Sequence, residues 1–258
     1  MNWEKKHEPL DCAHRGHRQV GKILTRHFLS KGDQVIAVGR SAEALEKLFL
    51  SNRQRGKKLK CLELDLITPD IGGQLVQKLS ELKIFPNCLV NNARNVEFLR
   101  LNSHGLAARS HFLNELNLGV VVSYELTMAL AYQKKASLRS VVNIGSIYGS
   151  VAPHPGLYKN PEKDSPIHYG VTKAALAHLT KELAVRLAPK GIRVNCAAFG
   201  GLQGRVDKSF MRRYASLCPS GRMLKEKEIP GPIDMLLSEA ASGVTGHVLM
   251  VDGGWTAW

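Results

Sequence analysis

The feature that most constrains this chain is an alternation. Short apolar runs of about four to six residues, the length of fully buried parallel strands, are separated by longer segments with helical spacing. The runs are Leu10–Ala13, Gln34–Val38, Leu59–Leu64, Cys88–Asn91, Ser140–Ile144, Ile192–Cys196 and His247–Val251. Between them the pattern predicts helices over Val20–Leu29, Ala42–Asn52, Gly73–Leu82, Arg109–Tyr132, His168–Leu187 and Glu226–Leu237. In the fifth, Ala174, Leu176, Leu179, Leu183 and Leu187 recur at helical intervals beside the polar Lys181 and Glu182. Strands and helices in this order predict an α/β fold, a doubly wound parallel sheet covered on both faces. Its ligands belong at the rim formed by the C-terminal ends of the strands. No composition break, repeat or linker divides residues 1–258, so a single domain is expected.

A formal charge of +14, from 36 Lys and Arg against 22 Asp and Glu, favours anionic partners. The basic residues are scattered in short groups such as Lys57-Lys58, Lys134-Lys135 and Arg212-Arg213. They form no basic arm and do not alternate with aromatics, so no nucleic-acid partner is expected. The five cysteines have neither CxxC nor Cys/His spacing, which suits a reducing compartment without structural zinc. Residues Met1 to Pro9 are polar, and no run approaches the ~20 apolar residues of a membrane span. A cytoplasmic protein without membrane association is the expectation.

The chemistry concentrates between Ser140 and Cys196. A strand ending in Asn143-Ile-Gly-Ser146 precedes a helix opening His168-Tyr-Gly-Val-Thr-Lys173. Tyr169 and Lys173 are four residues apart and share one helical face. An ammonium beside a phenol favours the phenolate, which suits a tyrosine that exchanges a proton with a substrate oxygen. Ser146, at the strand end, is placed to hydrogen-bond the same oxygen. Tyr-x-x-x-Lys alone is common by chance, but here it stands among other features in a definite order. Asn91-Asn-Ala93 follows a strand, Leu116-Asn117-Leu118-Gly119 lies in the long fourth helix, Ile192-Arg-Val-Asn195 follows the Tyr/Lys helix, and Val244 to Gly254 closes the chain.

Together these segments resemble the short-chain dehydrogenase/reductase family over almost the whole length, with its Rossmann-like fold. The resemblance implies a nicotinamide-dependent oxidoreductase acting on a ketone/secondary-alcohol pair. Tyr169 would protonate or deprotonate the substrate oxygen, Lys173 would assist it and bind the nicotinamide ribose, and Ser146 would orient the carbonyl. Asn117 would hold a water in a proton relay. Hydride passes directly between nicotinamide and substrate carbon, so no metal is needed. Asn91, Ala93 and Gly200 would lie beside the cofactor, and Asp65 would contact its adenine. Plainer roles stay open: Asn117 as the cap of a helix kink, Ser146 as a strand-end cap, Asp65 as the cap of a turn.

Gly39 occupies the place of a ribose-gripping carboxylate and is followed by Arg40. Arg40, with Arg18 from the first strand-to-helix loop, is suited to a 2′-phosphate, so NADP(H) is expected over NAD(H). The glycine fingerprint departs from the family pattern. With Gly21 as its last glycine, Arg15 and Gln19 stand at the other two glycine positions and His14 at the threonine position. Side chains there crowd a pyrophosphate that glycines would let approach. His14, Arg15, His17 and Arg18 offer phosphate contacts in compensation. Arg94 replaces the glycine expected after Asn-Asn-Ala and is suited either to an anionic substrate group or to a surface ion pair.

Residues 200–223 are expected to form a substrate lid, with Arg205, Lys208, Arg212, Arg213 and Arg222 beside Phe210, Met211 and Tyr214. A basic lid suits a phosphorylated or nucleotide-linked substrate, while a solvated amphipathic helix explains it equally. The long insert His154–Ser165 resembles family members associated with surface-carbohydrate synthesis, which makes a sugar or nucleotide-linked sugar a candidate. A catalytically silent member of the fold, serving as a binding or partner subunit, is the alternative. The family resemblance further implies a homodimer or homotetramer assembled through the long fourth and fifth helices.

Overall fold

The computed structural model describes residues 9–12, 18–41, 43, 45–46, 58–204 and 206–258. Among them are strands β1 (Pro9–Cys12), β2 (Val35–Gly39), β3 (Leu59–Glu63), β4 (Cys88–Asn91), β5 (Ser140–Ser146), β6 (Arg193–Phe199) and β7 (Val248–Val251). They pair in parallel throughout, in the order β3-β2-β1-β4-β5-β6-β7. The order reverses between β1 and β4, the crevice in which doubly wound sheets bind their ligands.

Side-chain alternation explains the two covered faces. On β5, Val141 packs into one apolar cluster and Val142 into the other, because successive strand residues point to opposite sides. One face is covered by α1 (Arg18–Lys31) and α8 (Pro230–Leu237), through Leu24, Phe28, Ile233 and Leu236. The opposite face carries α2 (Ile71–Glu81), α3 (Arg109–Leu116), α4 (Val122–Tyr132) and α6 (Ile167–Leu187), with Leu75, Leu126 and Leu183 buried against it. Each fully buried Leu or Ile contributes about 1.5–3 kcal/mol relative to exposure.

Two further helices were not among those expected from periodicity: α5 (Pro161–Asp164) in the long insert, and α7 (Lys208–Leu217) in the segment after β6. Asp207 starts α7 by accepting from the Phe210 amide at 2.8 Å, a side-chain cap. The expected helix Arg109–Tyr132 is interrupted by a π-turn over Asn117–Val121 that separates α3 from α4. The expected helix Glu226–Leu237 is helical only from Pro230, since Pro suits the first turn and residues 226–228 form a tighter 3₁₀ turn. Most of the expected helix Ala42–Asn52 lies outside the described residues. Among the described residues no helix is long and apolar enough to cross a membrane.

Candidate active site

β5 ends at the rim with Ser146, buried to 8% exposure. The Ser146 Oγ accepts from the Tyr148 amide at 3.3 Å, so its own hydrogen is left to donate toward the neighbouring cavity. α6 runs back along this strand end and carries Tyr169 and Lys173 one turn apart. Lys173 is buried, and its Nζ donates to the Ile144 carbonyl at 2.7 Å. The same ammonium stands 5.9 Å from the centre of the Tyr169 ring. Ser146, Tyr169 and Lys173, 27 positions apart along the chain from first to last, are thus brought together. Close packing makes this possible: a Cβ added at Gly149 would lie 2.8 Å from the Lys173 carbonyl oxygen.

Asn117 opens the π-turn, and its carbonyl accepts from the Val122 amide five residues on. Such wide turns recur at functional sites because they redirect a side chain or carbonyl out of the helical ladder. The turn packs on α6, where Gly119 meets the Thr172 methyl so closely that a Cβ would clash. Asn117 thus stands where the long helix changes its backbone hydrogen bonding.

Asn91 requires a correction. Its side chain does not face the rim: Nδ2 donates to Asn143 Oδ1 at 2.8 Å and to Thr127 Oγ1 at 3.3 Å inside the core. Asn143 in turn donates to Thr180 at 2.9 Å. The network links β4, β5, α4 and α6, and burial requires it, since an unpaired amide there would cost about 1–3 kcal/mol. Its neighbour Asn92 is buried with neither amide atom paired among the described residues, so Asn92 is the better candidate for a ligand contact at this strand end. Ala93 follows, half-buried and packed against the core.

Arg94, suited either to a substrate anion or to a surface ion pair, lies beside Tyr169. The structure places its guanidinium carbon 4.3 Å over the centre of the Tyr169 ring. Glu115 is buried nearby, and burial raises its carboxyl above the ordinary range, against the lowering fields of Arg94, Lys173 and His168. Tyr169 therefore has two cations near its ring, one of them outside the family pattern.

A cavity of about 280 Å³ opens beside Ser146 and Tyr169. Gly200 lines it and lies so near the Tyr214 hydroxyl and Asp252 that a side chain would not fit. Tyr148, Tyr158, Phe210 and Tyr214 supply aromatic walls. The hydroxyls of Tyr148 and Tyr158 are 2.7 Å apart, and burial pushes both phenols up in pKa. Tyr214 accepts from the Gly201 amide at 2.9 Å, stacks on Trp255, and is pushed up to about 12 by burial. Tyr158 was not singled out from sequence; its position inside the long insert was the one available signal, and nothing local marks which insert residue folds inward.

On the cofactor side, Arg18 is the first residue of α1 rather than part of the preceding loop, and Gly21 is buried in that helix. Arg40 is exposed immediately beyond β2. Asp65 follows β3, where its carboxylate accepts from the Ile67 amide at 3.5 Å and its carbonyl from Thr68 at 2.7 Å, the turn-capping role left open above. Gln19 lines the cavity and donates to Glu226 at 2.7 Å. His14, Arg15, Gly16 and His17 lie outside the described residues, as does Arg205.

Residues 16–256 match the family model described as enoyl-(acyl carrier protein) reductase. The chain is 30% identical over 245 residues to the post-translational flagellin modification protein A of Campylobacter coli, covering 92% of this chain and 94% of that one. It is 26% identical over 247 residues to the 3-oxoacyl-[acyl-carrier-protein] reductase FabG of Aquifex aeolicus, covering 92% and 93%. Among solved structures, a short-chain dehydrogenase from Leptospira borgpetersenii with bound NAD+ superposes with a TM-score of 0.83 at 26% identity, over 99% of this chain and 96% of that one.

Proposed function

The chain belongs to the short-chain dehydrogenase/reductase family of nicotinamide-dependent oxidoreductases, and on that premise we propose that it interconverts a ketone and a secondary alcohol at Ser146, Tyr169 and Lys173. The single observation that carries this reading is that Ser146 and Tyr169 line one cavity while the Lys173 ammonium, held by the Ile144 carbonyl, stands 5.9 Å from the centre of the Tyr169 ring. In reduction, the Tyr169 hydroxyl gives its proton to the substrate oxygen; in oxidation it takes the alcohol proton. The Ser146 hydroxyl donates to the same oxygen and fixes its distance from Tyr169. Lys173 and Arg94 supply positive charge beside the tyrosine as its proton leaves.

The residues at the strand ends fit a nicotinamide cofactor: Asn92 has a buried amide without a partner among the described residues, and Gly145 and Gly200 leave the rim free of side chains. When bound, the cofactor supplies the hydride acceptor or donor. Asn92, Ala93, Tyr169, Lys173 and Gly200 would hold its nicotinamide half, with Gly21, Arg18, Arg40 and Asp65 toward the adenosine half. The exposed Arg40 after β2 supports NADP(H), and the NAD+ in the Leptospira protein makes NAD(H) the competing cofactor. Asn117 would position a relay water at the π-turn.

Residues 200–223 serve in this reading as the substrate lid, and the reacting partner is a small-molecule carbonyl or alcohol, a sugar among the candidates. The name of the flagellin-modification relative supports a role in modifying cell-surface components. Exposed Val121, Tyr124, Val171 and Val185 on the long helices support a homodimer or homotetramer. The free thiols Cys88, Cys196 and Cys218 support a reducing, cytoplasmic setting.

Titrating NADPH and NADH into the purified protein, followed by fluorescence, tests the reading. Saturable binding of NADPH ahead of NADH is expected. Absence of binding of either at millimolar concentration would overturn the enzyme reading in favour of a catalytically silent binding subunit.

A further inference from the structure

We infer that the cavity beside Tyr169 selects an uncharged ring carrying a second hydroxyl next to the reacting carbon, and that the paired hydroxyls of Tyr148 and Tyr158 recognise that second hydroxyl. The inference rests on the oxidoreductase reading above and names its substrate class.

The first support is the lining. Ser146, Tyr148, Tyr158, Tyr169, Phe210 and Tyr214 face the cavity with glycines and aliphatic side chains, and no charged side chain lines it among the described residues. A phosphate or carboxylate buried there would lose its hydration without an Arg or Lys to replace it. Among the described residues, the cations that the sequence offered for that purpose lie elsewhere. Arg213 donates to the Leu157 carbonyl at 2.7 Å and to Ser209 at 2.6 Å, and so ties α7 to the insert. Arg222 forms a two-pronged pair with Glu228, at 2.8 and 2.7 Å. Lys208 and Arg212 border a separate depression with Gln203 and Met211. Arg94 is spent over the Tyr169 ring, in the field of buried Glu115.

The second support is the hydroxyl pair. When two phenol groups bond to each other, one hydrogen is consumed and the other is free to donate, with lone pairs left to accept. Burial keeps both phenols neutral, so the pair offers a donor and an acceptor without charge. The rings continue as a wall: Tyr148 meets Tyr169 edge-on at 6.4 Å, and Tyr158 meets Phe210 edge-on at 5.7 Å. Such a wall accepts the C–H face of a ring while its hydroxyl rim reads an oxygen. At about 280 Å³, with its Gly145 and Gly200 rim left to the cofactor, the cavity is at or below the small end of the ligand-pocket range, which suits a single ring and not a whole nucleotide sugar.

The test uses cyclohexane-1,2-diol, cyclohexanol and the diol monophosphate with saturating oxidised cofactor, after cofactor binding has been measured separately. We expect kcat/KM for the diol to exceed that for its monophosphate by at least tenfold. Tyr158→Phe should lower kcat/KM about tenfold more for the diol than for cyclohexanol, which lacks the second hydroxyl. Preference for the monophosphate, equal losses on diol and cyclohexanol, or cofactor binding with no turnover of either neutral ring would overturn the inference. If no cofactor binds, the oxidoreductase reading fails on its own. The inference is then judged by thermal shift, where stabilisation by the diol and not by its monophosphate supports it, and any other ranking overturns it.

Discussion

The ammonium of Lys173 donates to the carbonyl of Ile144 across 2.7 Å, fastening α6 to the end of β5 one helical turn from Tyr169. An ammonium has three hydrogens, so two remain for the tyrosine side and a ribose. Lys173→Met should therefore lose both turnover, by about 10²-fold or more, and about 1–3 kcal/mol of stability through the unpaired Ile144 carbonyl. Tyr169→Phe should lose turnover by about 10²–10⁴-fold with stability changed by less than about 0.5 kcal/mol. Steady-state rates and thermal denaturation of the two variants check the contrast. Equal stability losses would show that Tyr169 has a structural role.

Gly149 sits where the turn after Ser146 meets α6. An added Cβ would stand 2.8 Å from the Lys173 carbonyl oxygen and 3.2 Å from the Ala174 nitrogen. Backbone cannot step aside as a side-chain tip does, so Gly149→Ala should separate Ser146 from Tyr169. A fall in kcat of about tenfold or more is expected, since misplacement by an ångström costs up to about 10²-fold. Kinetics with folded, cofactor-binding variant would show it; wild-type kcat would refute it.

The Asn91–Asn143–Thr180 network, with Thr127 beside Asn91, joins two strands to two helices. Asn143→Ala leaves the amides of Asn91 and the hydroxyl of Thr180 short of a partner in a dry site. A loss of about 2 kcal/mol is expected, seen as a lower denaturation midpoint in urea at unchanged slope.

Glu115 gives a pH signature. Burial raises its folded-state pKa above the ordinary carboxyl value, so its protonated form is favoured in the fold. Its contribution to stability is present below the unfolded pKa and is lost as pH rises through the folded one. Glu115→Gln should accordingly melt higher than the parent at neutral pH, with the difference closing as pH falls toward the ordinary carboxyl range. A variant less stable than the parent at neutral pH would show that the pairing with Arg94 and Lys173 outweighs desolvation.

Much of this molecule was legible beforehand because its signals are local. Strand length, helical spacing and the four-residue step from Tyr169 to Lys173 follow from backbone geometry, which a linear pattern reports directly. The parallel sheet, its two covered faces and the placement of Ser146 at a strand end all follow in the same way. The failures have a common cause. The family resemblance puts Asn91 beside the cofactor, yet its side chain turns inward, where Asn143 and Thr127 wait from other elements. The long helix hid a π-turn, since Leu116 to Val122 keeps helical spacing whichever carbonyl each amide reaches.

The sequence by itself determined the sheet, its connections and the chemistry available at the rim, because those depend on residues near one another along the chain. Only the tertiary structure decided what surrounds Tyr169 and Lys173. Arg94 over the Tyr169 ring, Tyr148 against Tyr158, and the turning of Arg213 and Arg222 away from the cavity are contacts between segments that share no local pattern. Their geometry is set by which side chains can be buried together with most polar atoms paired, and that competition is settled only when the elements pack.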